Sequence, residues 1–324
     1  MPIKSTLILA VIVFSVSHPV TGQRYLEEVF KKTTKETVVY LDKGHEKLSM
    51  DIFTPVNDTA KNRPVMLYVH GGGFAGGNRD HPNHIKFCEA LARRGYVAVT
   101  MSYSLVMKGK SFSCDQLAEV KVKTFRSVAL DIAYATKYLI ENKNKLGIDQ
   151  SQIVLAGSSA GAEAVLHAAY WKSSWQNEEK AILDDDFQYG GVISMAGAIV
   201  DIKLINKASA IPTQLFHGTC DNLVPYATAP HHYCDYEKPG YLILHGAKSI
   251  ADRLDELQKG YYLVTGCNGG HEWNDLPIRA YIPLIADFLY HDVLAGEFRQ
   301  IHTVKSSTRD CANKSAELPS ECGF

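Results

Sequence analysis

The chain has 324 residues, 46% of them hydrophobic and 21% charged, an ordinary globular mix that excludes a disordered or fibrous protein. Its 34 Lys and Arg against 35 Asp and Glu give a formal charge of -1, so there is no basic excess for a nucleic-acid partner. Lys4 followed by the apolar run Leu7 to Phe14 reads as an export signal: the run falls short of the ~20 residues a bilayer span needs. Val20-Thr21-Gly22 offers a cleavage site, so residues 1–22 are expected to be removed, leaving 23–324 as one catalytic domain with a tail from about 296. A buried N-terminal strand or an uncleaved anchor is the other reading of that run. No later segment reaches membrane-spanning length, and the expected location is secreted or periplasmic.

Beyond the leader, two early strands are predicted at Thr37–Tyr40 and Leu48–Phe53, with a turn at Lys43-Gly44. Strand and helix then alternate. Strands are expected at Val65–Val69, Tyr96–Met101, Ile153–Ala156, Val192–Met195, Gln214–His217 and Tyr261–Val264. Helices are expected from His84 to Arg94 and in a long segment where Phe125, Val128, Ile132, Ala135 and Leu139 recur at steps of three and four. Lys121, Lys123 and Arg126 near its start read as a solvated face. A last helix carries Ile278, Ile282, Ile285 and Leu289, bent by Pro283. Apolar strands separated by amphipathic helices predict an α/β fold with a mostly parallel sheet covered on both faces. Chemistry in such sheets belongs at the carboxyl ends of the strands.

Four motifs fall at those ends. Gly157-Ser158-Ser159-Ala160-Gly161 stands between a strand and a helix, the context of a nucleophile elbow, which makes Ser159 the candidate nucleophile. His70-Gly71-Gly72-Gly73-Phe74 follows the Val65–Val69 strand. Its glycines let backbone N–H groups face a bound oxygen, so Gly72 and Gly73, with Ala160 after the nucleophile, are the expected oxyanion donors. His70 is expected to brace that loop. His217-Gly218-Thr219-Cys220-Asp221 supplies Asp221 as the acid, preferred over Asp235 on chain order. Gly269-Gly270-His271-Glu272-Trp273 supplies His271 as the general base. The order Ser, Asp, His differs from both protease orders. His81, His84 and His231-His232 lack companion ligands for a metal, and Asp184-Asp185-Asp186 reads as a solvated loop.

Seven cysteines in an exported chain make bridges expected. One is expected between Cys220 and Cys267, pinning the acid and base loops, with Cys234 a competing partner for either. Another is expected between Cys311 and Cys322 in the tail. Asn57-Asp58-Thr59 and Asn313-Lys314-Ser315 fit the glycosylation pattern, which has meaning only in a eukaryotic host.

At these motifs the chain resembles the α/β-hydrolase superfamily, from about Lys35 to Leu294. The pairing of His70-Gly71-Gly72-Gly73-Phe74 with Gly157-Ser158-Ser159-Ala160-Gly161 is similar to the carboxylesterase and hormone-sensitive-lipase-like branch. The exported character and early strands are similar to secreted feruloyl and acetylxylan esterases. The resemblance implies hydrolysis of a small-molecule or carbohydrate-linked ester through an acyl-enzyme, with no metal or organic cofactor. Such lipases carry Asp-Tyr-Arg where this chain has Ser102-Tyr103-Ser104, which is expected to alter the wall beside the nucleophile. Only a modest insertion, Lys172 to Gln188, precedes the acid, so a small cap or none is expected. A prolyl-oligopeptidase-type peptidase shares the triad order but carries a further large domain. A non-enzymatic binding module on the same fold would lack the nucleophile or the base.

Overall fold

The computed structural model describes residues 24–172, 181–306, 311 and 322. The expected leader, residues 173–180 of the insertion before the acid and the second glycosylation pattern lie outside them. In chain order the elements are β1 (Thr33–Asp42), β2 (Lys47–Pro55), β3 (Arg63–Val69), α1 (Pro82–Arg93), β4 (Val97–Met101), α2 (Ala118–Glu141), α3 (Lys143–Leu146), β5 (Ile148–Ser158), α4 (Ala160–Tyr170), β6 (Gly191–Met195) and β7 (Thr213–Gly218). They continue with β8 (Thr228–Pro230), β9 (Ile243–His245), α5 (Ala247–Glu256), β10 (Tyr261–Gly266), α6 (Leu276–Ala280), α7 (Ile282–Phe288) and β11 (Gln300–Lys305).

Among the described residues, nine strands form one sheet in the order β1-β2-β4-β3-β5-β6-β7-β10-β11. The β1–β2 and β2–β4 pairings are antiparallel; from β4 onward the strands run parallel. Side chains alternate across the sheet. Val65, Leu67 and Val69 of β3 join one core with Phe125 and Val128 of α2 and Val165 of α4. Met66 and Tyr68 face the other core, with Phe87 and Leu91 of α1 and Ile285 and Phe288 of α7. Strands buried on both faces explain why β3 to β7 read as continuous apolar runs. All five residues of the predicted α2 stripe are buried.

Some expectations need correction. Lys123 and Arg126 are exposed as expected, but Lys121 is buried, not solvated: its Nζ donates to the Gly240 carbonyl at 3.0 Å, so that side chain faces a loop instead of water. Pro283 does not bend a helix but opens one, since it lies in the first turn of α7 and the chain breaks at Tyr281. The start of the expected tail is β11, which adds to the sheet beside β10. That strand changes the disulfides. Cys267 N–H donates to Lys305 O at 2.9 Å, so the chain leaving β11 passes the loops of Cys220 and Cys267. Each then takes a late partner: the bridges are Cys220–Cys311 and Cys267–Cys322, not Cys220–Cys267 and Cys311–Cys322. Cys234 pairs with Cys114 across 120 residues, and Cys88 is a buried free thiol. No helix among the described residues is long and apolar enough to cross a membrane.

Candidate active site

Because β3, β5, β7 and β10 are parallel, their carboxyl ends share one edge of the sheet, and the four motifs meet there. Ser159 follows β5 and caps α4 with φ 54° and ψ -122°, a conformation that L side chains seldom adopt. Its N–H donates to Met195 O at the end of β6, at 2.9 Å, which holds the turn. The flanking glycines are a matter of space. A Cβ on Gly157 would meet Gly161 O at 2.3 Å, and one on Gly161 would meet Val69 O at 2.2 Å. Strand and helix can cross this closely only without side chains.

The Ser159 hydroxyl lies 2.8 Å from His271 Nε2. His271 Nδ1 lies 2.7 Å from Asp221 Oδ2. With Nδ1–H donating to the carboxylate, Nε2 is left to accept the serine proton. Asp221 is fully buried, and Oδ1 also accepts the N–H groups of Leu223 and Val224 at 2.9 and 3.0 Å. His217 Nε2 approaches Oδ2 to 3.3 Å. Burial opposes the charge on Asp221, but hydrogen bonds from His217 and His271 outweigh it and hold the carboxyl well below the ordinary range.

The glycine loop after β3 is rigidly braced. Gly72 takes φ 119°, and its carbonyl accepts Ala75 N–H at 3.1 Å and Gly76 N–H at 3.0 Å. His70 stacks on Tyr103 at 4.4 Å, and the Tyr103 hydroxyl donates to His70 O at 3.0 Å. Burial lowers the His70 pKa and favours the neutral ring of a brace. Phe74 is fully buried against Phe112 and Phe125. Arg79 Nε reaches buried Asp51 at 3.3 Å, anchoring the far end of the loop on β2. Among the described residues no hydrogen bond takes up the N–H of Gly72, Gly73 or Ala160.

A cavity of about 550 Å³ opens over these groups, lined by Gly71 to Gly73, Ser159 and His271, and further out by Asn78, His81, His84, Asn274 and Asp275. Leu223 is its one large apolar side chain. Burial pushes His84 down to about 4, so its ring is neutral near pH 7. Among the described residues no group of three or more His, Cys, Asp or Glu could hold a metal ion. Asp184, Asp185 and Asp186 are exposed, and so is Asn57.

Three contributors escaped sequence reasoning. Asn274 Nδ2 donates to His271 O, while Asn274 Oδ1 accepts the Ser158 hydroxyl at 3.1 Å. Ser158 therefore ties the base loop to the elbow. His217 and Glu163 are the others; each stands four residues from a site residue, a spacing that carries no chemical signature alone.

A model of the BD-FAE family matches residues 50–254. Gut esterase 1 of Caenorhabditis elegans is 27% identical over 140 residues, 43% of this chain and 24% of that protein. Fumonisin B1 esterase of Sphingopyxis macrogoltabida is 31% identical over 119 residues, 36% of this chain and 22% of that protein. The chain thus spans about a quarter of the length of these curated relatives. Among solved structures, propionate-bound esterase 2 of Thermogutta terrifontis superposes with a TM-score of 0.55 at 20% identity, covering 79% of this chain and 93% of that one. The same enzyme phosphoramylated by tabun superposes at 0.56, with 79% and 94% covered. At that identity the likeness establishes the α/β-hydrolase fold.

Proposed function

Because this chain belongs to the BD-FAE family, an esterase family of α/β-hydrolase fold, we propose that it is a serine carboxylesterase working through Ser159, His271 and Asp221. The observation that carries the reading is the unbroken relay from Ser159 Oγ to His271 Nε2 at 2.8 Å and from His271 Nδ1 to Asp221 at 2.7 Å. Ser159 Oγ attacks the ester carbonyl while its proton passes to Nε2. The carbonyl oxygen becomes an oxyanion, held by the N–H groups of Gly72, Gly73 and Ala160. Each such donor is worth roughly 3–4 kcal/mol in the transition state. Asp221 keeps the imidazole in the required tautomer and stabilises the imidazolium. His271 returns the proton to the leaving alcohol, and then activates the water that releases the acid.

The polar outer wall of Asn78, His81, Asn274 and Asp275 suits an alcohol rich in hydroxyls, which supports short-chain or carbohydrate-linked esters as substrates. The propionate bound to the Thermogutta terrifontis esterase agrees with a short acyl group. Three disulfides support an oxidising compartment, and with it a leader at 1–22 and a mature catalytic domain at 23–324.

Ser159→Ala should abolish p-nitrophenyl acetate hydrolysis and labelling by a fluorophosphonate, with the circular dichroism spectrum unchanged. Wild-type turnover in that variant would refute the assignment. An ester panel varying acyl length, with acetylated and feruloylated sugars included, tests the substrate class.

A further inference from the structure

A second acid–imidazole pair lies behind the nucleophile. Glu163 stands one turn along α4 from Ser159, and its backbone N–H donates to Ser159 O at 3.0 Å. Its side chain is 2% exposed, and Oε1 comes within 3.3 Å of Nε2 of His231, which is 1% exposed. The next residue, His232, donates its N–H to Leu223 O at 2.8 Å. Leu223 donates its own N–H to Asp221 Oδ1 at 2.9 Å. A path of contacts therefore runs from the nucleophile helix to the acid without passing through His271.

The charge state of the pair follows from what surrounds it. A buried carboxylate is costly unless fully paired. Lys121 of α2 is the nearby cation, but its ammonium is committed to Gly240 O at 3.0 Å. Tyr103 faces the carboxyl from the loop after β4, and Asp221 from the loop after β7. His167, on α4 itself, has Nδ1 2.6 Å from Glu163 O. His232 and His271 lie on the side of His231. Burial raises the Glu163 carboxyl well above its ordinary range; Lys121 offsets part of this and Asp221 adds to it. Burial, with His232 and Lys121 adding to it, lowers His231. Both effects favour a neutral acid beside a neutral imidazole. Neither Oε1 nor His231 Nδ1 has an aligned hydrogen bond among the described residues. Turning the carboxyl about its soft terminal torsion brings an O–H onto Nε2.

We propose that Glu163 and His231 are positioning residues: the carboxyl O–H of Glu163 donates to His231 Nε2 and latches the acid-bearing loop to the helix that carries the nucleophile. The proposal rests on the triad reading above. Loss of that proton to solvent base at high pH leaves a buried carboxylate with no free cation among the described residues to pair it, since Lys121 is held by Gly240 O, and the latch opens.

The test is kcat and KM for p-nitrophenyl acetate from about pH 6 to pH 9.5 in the wild type, Glu163→Gln, Glu163→Ala and Ser159→Ala. Glu163→Ala should lose ~10-fold or more in kcat with KM within about twofold. Glu163→Gln donates an amide N–H at any pH. It should keep kcat within about threefold of wild type near neutrality and lose the alkaline decline that the wild type shows. A wild type without that decline, a Glu163→Gln that keeps it, or a Glu163→Ala with wild-type kcat would overturn the latch. If Glu163→Ala does not fold, the Glu163→Gln profile decides. An inactive Ser159→Ala beside unaltered Glu163 variants would overturn the latch alone; an active one would overturn the triad reading and the latch with it.

Discussion

Ser159 at φ 54° is a strained residue held by its neighbours, and the strain is affordable because strand and helix cross without side chains between them. Gly161 is the tightest of those crossings, since an added Cβ would meet Val69 O at 2.2 Å. That contact is backbone on both sides, so no rotamer relieves it. Gly161→Ala should therefore cost about 1–3 kcal/mol or more and displace the nucleophile as well. Thermal unfolding should start lower, and whatever folds should react more slowly with a fluorophosphonate. A variant with wild-type melting temperature and labelling rate would show that β3 and α4 can separate freely.

At the scale of elements, the Cys114–Cys234 bridge joins the segment before α2 to the segment after β8. Gly240 N–H donates to Cys114 O at 2.8 Å, and Ala118 N–H to Pro239 O at 2.9 Å, so the bridge fastens loops that already touch. The double substitution of both cysteines by serine should cost ~2–5 kcal/mol, read as a lower urea midpoint. An unchanged midpoint would mean that the backbone bonds alone hold the loops. The elements themselves were legible where the period was strong. β3 to β7, α1 and α2 stood out because strands buried on both faces and a stripe at steps of three and four leave plain patterns. α5 was missed although Ala247, Ile250, Ala251 and Leu254 share a buried face, because its other positions are strongly polar. β11 was missed because an edge strand half open to water carries only a faint alternation. Of the site, the four motifs could be read because each packs its glycines into a short stretch. Asn274, His217 and Glu163 could not, since their roles depend on three-dimensional neighbours. The cysteine pairing failed for the same reason: spacing does not say where β11 delivers the tail.

The whole molecule buries several histidines in neutral form. Burial brings His84, His167 and His232 down to about 4 and pushes His231 well below its ordinary range. In the unfolded chain these rings titrate near ~6.5. Below that pH the unfolded state takes up protons that the folded state refuses, so stability falls as pH drops from about 6.5 to about 4. His167 alone, fully buried, sets an upper limit on the order of 3 kcal/mol for its share. Asp221, held below its unfolded value, adds a loss that begins only below about pH 4. Glu163 and Asp292, both raised by burial, act oppositely, costing stability as pH rises above ~4, but among the described residues they are two groups against six lowered histidines once His70 and His245 are included. The melting temperature should drop by at least about 5 °C between pH 7 and pH 4.5 in calorimetry. A flat profile would mean that the buried rings accept protons in place.

The late bridges also set a schedule. Cys267, four residues before the base, waits for Cys322, and Cys220, next to the acid, waits for Cys311. During synthesis those partners are made 55 and 91 residues later. The loops bearing Asp221 and His271 can be locked only once the chain has grown past Cys322, so both should stay unfastened while the stretch between is being made.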